Sequence, residues 1–339
     1  MTSANPILIE ATRGGFVECR YRGACAVVDV KGTLLHSWGD VDQNVYPRSS
    51  LKPLQVLPLI ETGAADAYDV SPEEIALACG SHNSEHVHVE RVKAWLARVG
   101  LQVENLECGP SEPITLDVTK SMARDHEAFS LAHNNCSGKH AGFLTTAQYL
   151  GEDPKNYIKP NHPVQKRVTQ AIEDLTGADL SRVPCSADGC GIPVFAFPLI
   201  ALARGMASMI APSTGGEERM ASTHRVLDAM AAHPDMVAGT GRFDTRVMDA
   251  TNGEILVKGG ADGVHIAIAP GAGLGVALKI DDGTIRASEQ AMGFVLDQLG
   301  LLNGEARDAV SDLIEKPILN TIDERVGELR GTKDFEIKR

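Results

Sequence analysis

Two strand-like stretches lie far apart in this 339-residue sequence, and a mostly helical stretch separates them. Residues 16–38 and 254–288 are rich in apolar and β-branched residues and contain the turn sequences DVKG and DDG, which is typical of antiparallel hairpins. We therefore expect an α+β fold in which an antiparallel sheet is built from both chain ends around a mainly helical middle region. We expect a single domain over residues 1–339, with its sheet part at approximately 8–50 and 240–305 and its helical part at approximately 51–239.

The middle region carries local signals for helices. SPEEIALAC begins with a serine that can cap a helix and continues with proline and two acidic residues, which favour a first helical turn. EHVHVERVKAWLARVGL has apolar residues at helical spacing. The charged stretch at 327–339 is expected to be loosely held. We predict further helices at 139–150, 163–176, 193–208, 217–232 and 287–302.

Composition and charge narrow the possible partners. A formal net charge of −13 argues against nucleic acid and against anionic membranes. The sequence has no apolar run of the roughly 18 residues that a membrane span needs, and MTSANPILIEATRGG lacks the basic and apolar regions of a signal peptide. Seven cysteines, an odd number, fit thiols better than a disulfide framework. These features favour a cytoplasmic protein.

Ser49 and Lys52, in YPRSSLKPL, lie three residues apart where a loop leads into a helix. The simplest interpretation is structural, with Ser49 or Ser50 capping the helix LKPLQVLPLIETG. The catalytic interpretation makes Ser49 a nucleophile and Lys52 its base, because residues three apart share a helical face and a helix N-terminus stabilises negative charge. Apolar neighbours would also lower the pKa of Lys52 toward that of a general base.

Two further motifs follow in chain order. Ser81 and Asn83 lie in CGSHNSE, and Lys258 begins a Lys-Gly-Gly sequence in LVKGGADG. Ser-x-x-Lys, Ser-x-Asn and Lys-x-Gly, in this order, form the motif set of serine β-lactamases and penicillin-binding proteins. Taken singly, Ser81 has an ordinary explanation as a loop serine and Lys258 as a solvated strand lysine. The three motifs together favour catalysis.

Two cysteines have polar, flexible neighbours that can act as ligands. Cys136 lies in HNNCSGKHAGF with Lys139 and His140, and Cys190 lies in PCSADGCGIPV with Asp188. Two thiolates with nitrogen or oxygen donors suit Zn²⁺. The spacing is not that of a zinc finger, so composition alone gives only weak support for a metal. The cysteines expected to be inert core residues are Cys19, Cys25, Cys79 and Cys108.

Four segments, YPRSSLKPLQ, ALACGSHNSE, HNNCSGKHAGFL and DGCGIPVFAFPL, resemble the rhizobial-type L-asparaginase family, also called the asparaginase II family. The resemblance covers roughly residues 8–325 and implies hydrolysis of L-asparagine to L-aspartate and ammonia, on a fold similar to serine β-lactamases, penicillin-binding proteins and serine-dependent glutaminases. It also implies a homodimer. Carried over by residue, it makes Ser49 with Lys52 and Ser81 with Lys258 two Ser-Lys tandems, and it makes Cys136, Lys139 and Cys190 zinc ligands beside the substrate pocket.

The substrate's charges suggest three more binding residues. Arg48 is a candidate for the α-carboxylate, Asp188 for the α-ammonium or for orienting the metal site, and Asn83 for the amide. Two alternatives remain within the serine hydrolases, a penicillin-binding-type peptidase or β-lactamase and a glutaminase-type enzyme. A zinc-sensing or redox-sensing binding module built on Cys136 and Cys190 is an alternative from another class.

Overall fold

The computed structural model describes residues 4–337. Its strands are β1 (Ile7–Arg13), β2 (Phe16–Asp29), β3 (Leu34–Trp38), β4 (Asn44–Val45), β5 (Cys185–Ala187), β6 (Pro193–Phe195), β7 (Phe197–Pro198), β8 (Leu256–Gly259), β9 (Val264–Ala269), β10 (Leu274–Ile280), β11 (Lys316–Leu319) and β12 (Arg325–Gly331).

The α-helices are interspersed with a few short 3-10 helices. They are α1 (Lys52–Gln55), α2 (Leu57–Glu61), α3 (Ala64–Ala67), α4 (Pro72–Cys79), α5 (His86–Arg98), α6 (Leu116–Arg124), α7 (Ser137–Tyr149), α8 (Pro163–Thr176), α9 (Leu199–Ser208), α10 (Gly216–Ala232), α11 (Pro234–Val237), α12 (Phe243–Ala250), α13 (Ile285–Gln298), α14 (Gly304–Ala309) and α15 (Ser311–Ile314).

Strands from both chain ends form one antiparallel sheet, as the sequence predicts. Within residues 4–337 the main sheet has eight strands in the order β11-β12-β1-β2-β10-β9-β8, and β3 pairs with β2. Strand β2 joins the strands of the two chain ends, because its second half pairs with β10. The residues Ala24–Val28 in this half are fully buried. Such a strand buries both faces and therefore reads as a continuous apolar run.

The chain forms two compact units. The first, called the sheet unit here, consists of the chain up to Ser50, Phe197–Ala211 and the chain from Arg246 onward. The second, the helical unit, consists of Leu51–Ala196 and Pro212–Thr245. Residues 197–211 therefore lie with the sheet and not in the expected helical part at 51–239, because α9 packs on β10 and β2. The expectation of a single domain over 1–339 stays a prediction.

Two local expectations are wrong. The sequence DDG forms a turn, but the chain after it begins α13 at Ile285 and not a second hairpin strand. The charged stretch from 327 is also not loosely held, because β12 pairs with β1 from Ile9 to Arg13. Phe335 is fully buried and contacts the rings of Trp38 and Phe294. Residues 338–339 lie outside the described residues.

Helix α7 is the buried element of the helical unit that carries the candidate site. Its residues from Ser137 to Ala147 are all buried, and it packs against α4 and α5. Ser71 caps the N-terminus of helix α4: its hydroxyl accepts from the backbone N–H of Glu74, and the Glu74 carboxylate accepts from the backbone N–H of Ser71. Polar side chains on so buried a helix must find partners inside the protein.

All seven cysteines are thiols without disulfide partners, and Cys185 is the exposed one. Within residues 4–337, we find no helix with the length and apolar character needed to cross a membrane.

Candidate active site

Ser49 lies in a 3-10 helix, Arg48–Leu51, which leads directly into α1. The hydroxyl of the next residue, Ser50, is buried and donates to the carbonyl of Pro47 at 2.6 Å. Ser49 is half-buried, and its hydroxyl makes no hydrogen bond to the described residues of the sheet unit. No side chain in the described part of the chain caps α1. Ser50 therefore secures the turn, and the capping role considered for Ser49 is not observed.

Backbone strain precedes Ser49 directly. Arg48 has φ = +52°, a left-handed conformation that is uncommon outside glycine. Such a conformation costs on the order of 1–3 kcal/mol and is found most often at functional sites. The guanidinium of Arg48 forms an ion pair with Asp262, which helps to hold this conformation.

The Lys-Gly-Gly segment packs against the same turn. Lys258 lies on β8, as the sequence predicts, with 1% of its surface exposed, and its amine donates to the carbonyl of Gly259 at 2.5 Å. A Cβ atom on Gly260 would lie 2.8 Å from the carbonyl oxygen of Pro47 and 3.0 Å from the nitrogen of Ser50. Glycine is therefore needed where this segment meets the turn that carries Ser49.

Lys52, in the helical unit, is fully buried. Its amine contacts the carbonyl oxygen of Gly80, the hydroxyl of Ser81 at 3.1 Å and the carbonyl oxygen of Asn135 at 3.4 Å. Burial lowers the pKa of Lys52 from its ordinary value. A neutral amine has two N–H groups and one lone pair, so the two carbonyls can accept its hydrogens while its lone pair accepts from Ser81.

A histidine fixes the loop that carries Ser81. His82 is fully buried, its Nδ1 accepts from the backbone N–H of Ser84 at 3.1 Å, and its Nε2 lies 2.9 Å from the hydroxyl of Ser137. Because Nδ1 is an acceptor, the proton is on Nε2 and donates to Ser137. Burial holds the pKa of His82 well below its ordinary value, so the ring is neutral. The Ser81 loop is thereby tied to the first turn of α7.

The two cysteines and the lysine expected to hold zinc come together at the start of α7. Cys136, Lys139 and Cys190 have 6%, 1% and 4% of their surfaces exposed. The Lys139 amine donates to the sulfur of Cys190 at 3.2 Å. A hydrogen bond between the two thiols lowers the pKa of Cys190 well below its ordinary value and raises that of Cys136 to about 12. Burial opposes the charge of Lys139, but its electrostatic interactions with Cys190 and Cys136 outweigh this effect and raise its pKa.

These three residues suit a metal by their donor types. Two sulfurs and one nitrogen, buried and mutually close, are donors that Zn²⁺ accepts. The described residues contain no group of three histidine, cysteine, aspartate or glutamate side chains arranged for a metal, so an ion here would need the lysine amine as its third donor. A lysine binds a metal only after it loses its proton.

The candidate substrate ligands of the helical unit have partners of their own. The amide nitrogen of Asn83 donates to Glu85 at 3.2 Å, and its amide oxygen accepts from Arg242 at 3.0 Å. Asp188 is half-buried, accepts from the backbone N–H of Gly189 at 2.8 Å and lies close enough to help raise the pKa of Lys139.

Each unit brings together part of the predicted set. The residues that meet in the helical unit are Lys52, Ser81, Cys136, Lys139 and Cys190, and those that meet in the sheet unit are Arg48, Ser49 and the segment of Lys258. Each predicted Ser-Lys tandem takes one residue from each unit, so the tandem pairings stay predictions. Within the helical unit, Lys52 contacts the serine that was assigned to the other tandem.

Several chemical groups that contact the candidate site residues were not predicted from the sequence. The carbonyls of Gly80 and Asn135 are backbone groups, which leave no side-chain signal in a sequence. Arg242 was also missed, although it follows the short glycine-bracketed stretch GTG, which marks a tight loop.

Comparison with known proteins identifies the family. A family model described as L-asparaginase II matches residues 9–331. The protein Mglu in its native form is 15% identical, with a TM-score of 0.45 over 84% of this chain and 67% of its own. Mglu in its Tris and glutamate form is 16% identical, with a TM-score of 0.44 over 89% of this chain and 65% of its own.

A candidate β-lactamase from Bacteroides dorei DSM 17855 is 13% identical, with a TM-score of 0.42 over 76% of this chain and 84% of its own. No curated protein matches the sequence. The family model spans both units and all the candidate site residues. The chain therefore belongs to the L-asparaginase II family and is an amidohydrolase-type enzyme.

Proposed function

We propose that this enzyme hydrolyses L-asparagine to L-aspartate and ammonia through an acyl-enzyme, with Ser49 as the nucleophile and Lys52 as its general base. The family match supports the amide substrate. The observation that carries the mechanism is the fully buried Lys52 amine, which lies 3.1 Å from the Ser81 hydroxyl and whose pKa is lowered by burial. A lysine must be neutral to accept a proton from a serine.

In the first step, the Ser49 oxygen bonds to the side-chain amide carbon of asparagine while the serine proton passes to the Lys52 amine. Backbone N–H groups at the start of the helical turn would stabilise the oxyanion. The carbon–nitrogen bond then breaks, and the proton held by Lys52 goes to the leaving nitrogen, which departs as ammonia. A water molecule next attacks the ester, releases aspartate and returns a proton to Ser49. Ser81 and Lys258 would complete the proton path as the second tandem.

The substrate's charged groups need complementary side chains. We propose Asp188 for the α-ammonium and Asn83 for the amide, and Arg48 is the candidate that the sequence offers for the α-carboxylate. Asp188 is supported by its position beside the Lys139 and Cys190 cluster. Arg48 lies directly before the nucleophile, but its guanidinium is already paired with Asp262, so a substrate carboxylate there would compete with that ion pair. A homodimer and a cytoplasmic location stay predictions.

We propose that Cys136, Lys139 and Cys190 hold a zinc ion. A bound zinc would supply positive charge and fixed ligand geometry beside the pocket. The proton transfers are assigned to the two Ser-Lys tandems. The role of the zinc site would therefore be to shape the pocket and to tighten substrate binding. Asp188, which lies close enough to affect the pKa of Lys139, would help to orient this site.

A substrate panel on the purified protein tests the function. We expect ammonia release from L-asparagine that exceeds the release from L-glutamine, and no turnover of the β-lactam nitrocefin. Preferred hydrolysis of L-glutamine would support the glutaminase-type alternative, and nitrocefin turnover would support the penicillin-binding or β-lactamase alternative. A protein that hydrolyses none of these compounds would contradict the proposal and favour the sensing module.

A further inference from the structure

The loop between α11 and α12 lies along the Ser81 loop within the helical unit. The backbone N–H of Ser81 donates to the carbonyl of Val237 at 2.8 Å. Gly239 has φ = +109°, and a Cβ atom there would lie 2.7–2.8 Å from the side-chain atoms of Asn83. Only glycine suits this position, so the loop can lie directly against Asn83. This contact places Arg242 next to the segment that carries Ser81.

Among the described residues, Arg242 has no acidic partner. It is half-buried, and its Nη1 donates to the amide oxygen of Asn83 at 3.0 Å. Within residues 4–337, no carboxylate forms an ion pair with it. The nearby carboxylate of Glu85 is bonded to Thr240, whose backbone N–H and hydroxyl donate to it at 2.8 and 2.9 Å.

Arg48 differs from Arg242 in this respect. Its guanidinium is already paired with the carboxylate of Asp262. Binding a substrate carboxylate at Arg48 would therefore compete with an existing ion pair, while Arg242 has most of its five N–H groups available. A half-buried guanidinium with no carboxylate partner is a site suited to an anionic group, because Arg binds carboxylates with two parallel hydrogen bonds.

The position of Arg242 suits one particular anion. Ser81 and Asn83 are two residues apart, so their Cα atoms are at most about 7 Å apart. Lys52 contacts the Ser81 side of this short segment, and Arg242 contacts the Asn83 side. In asparagine a two-carbon spacer separates the amide carbon from the α-carboxylate, so a molecule whose amide lies beside Ser81 and Asn83 can direct its carboxylate toward Arg242.

We propose that Arg242 binds the α-carboxylate of the substrate and determines the preference for amino-acid amides over amides that lack this group. The inference rests on the proposed function, since it names how the same site recognises asparagine. Arg242 would also position Asn83 through their hydrogen bond, and the test must separate these two effects.

The test compares L-asparagine with 3-aminopropanamide, which is the same molecule without its α-carboxylate. In Arg242→Gln, the amide can still donate to Asn83 but the charge is lost. We expect kcat/KM for L-asparagine to fall by at least about tenfold, mainly through KM, because a hydrogen bond to a charged group is lost. We expect kcat/KM for 3-aminopropanamide to change by less than about twofold. Arg242→Lys should recover part of the preference.

Arg225→Gln is the matched control, because Arg225 pairs with Asp66 on the surface of the same unit and should leave both substrates unaffected. An equal loss on both substrates in Arg242→Gln would show a structural role and overturn the inference. A preference that falls in Arg48→Gln but not in Arg242→Gln would also overturn it, in favour of Arg48. A wild-type protein without asparagine hydrolysis would instead refute the proposed function itself, and these outcomes are distinct.

Discussion

Lys52 shows how the surroundings of a single residue set its chemistry. Most lysines are exposed and protonated at neutral pH, whereas Lys52 is fully buried with a lowered pKa. The sequence indicated this from the apolar residues around Lys52. It did not indicate the carbonyls of Gly80 and Asn135, because these become partners only when the chain folds.

The pH dependence of kcat/KM tests Lys52 as the base. The neutral amine is the active form, so kcat/KM should rise with pH through the pKa of Lys52 and then reach a plateau. Because that pKa is lowered, the plateau should begin at a lower pH than the ordinary lysine value of about 10.4 would require. Steady-state kinetics between about pH 6 and 10 measure this, with Lys52→Arg as an inactive control that cannot become neutral. A flat profile would point to another base.

Metal analysis tests the cluster of Cys136, Lys139 and Cys190. We expect about one zinc per chain in protein purified without chelators, and loss of the metal in Cys190→Ser. Chelation should raise KM more than it lowers kcat, because the metal is expected to shape the pocket. Cys185→Ser is the control, since Cys185 is exposed and lies outside the cluster. Protein without zinc would refute the site, and complete loss of kcat on chelation would make the metal catalytic.

At the scale of helices, strands and loops, the sequence predicted the bounds of helices more accurately than the pairing of strands. Helix α8 begins and ends as predicted, because His162 caps it, a proline opens it and a left-handed Gly177 ends it. The helix predicted at 193–208 begins only at Leu199, since residues 193–195 and 197–198 are instead strands. The partner of β7, β4, is distant in sequence, so no local pattern reveals it, whereas β5 lies only a short loop before its partner β6.

Gly239→Ala tests the loop against which Asn83 packs. We expect a loss of about 1–3 kcal/mol in the free energy of unfolding and a lower kcat/KM, because the new Cβ would be strained and would displace Asn83. Gly241→Ala is the matched control, with a positive φ but open space around its Cβ position. Gly241→Ala should lower the free energy of unfolding only through the strain of its positive φ, and its kcat/KM should be nearly normal. Equal kinetic effects of the two changes would contradict this role of the loop.

At the scale of the whole molecule, the sequence predicted that both chain ends build one sheet but did not predict where it ends. The strands predicted within residues 16–38 and 254–288 correspond to β2, β3 and β8–β10 of the structure. Strand β12 was missed because its glycines and alternating charges read as a solvated tail, although Leu329 is buried. The C-terminal stretch is thus part of the sheet unit.

Phe335→Ala tests that conclusion. Phe335 is fully buried against Trp38 and Phe294, so its truncation should lower the free energy of unfolding by about 3–5 kcal/mol. Phe16→Ala removes the same side chain where it is 75% exposed and should have little effect. Chemical denaturation of both variants measures the difference. A Phe335→Ala protein as stable as the wild type would show that the C-terminal stretch does not contribute to the fold.

The central claim is that Ser49 is the nucleophile of an asparagine-hydrolysing enzyme, and ammonia release from L-asparagine by three proteins tests it most directly. The wild type should be active, and Ser49→Ala should lose activity by several orders of magnitude while remaining folded by circular dichroism. Ser50→Ala, which removes the adjacent hydroxyl that bonds to Pro47, should retain most of the activity. A folded Ser49→Ala protein with nearly normal turnover would contradict the account and would move the nucleophile to Ser81.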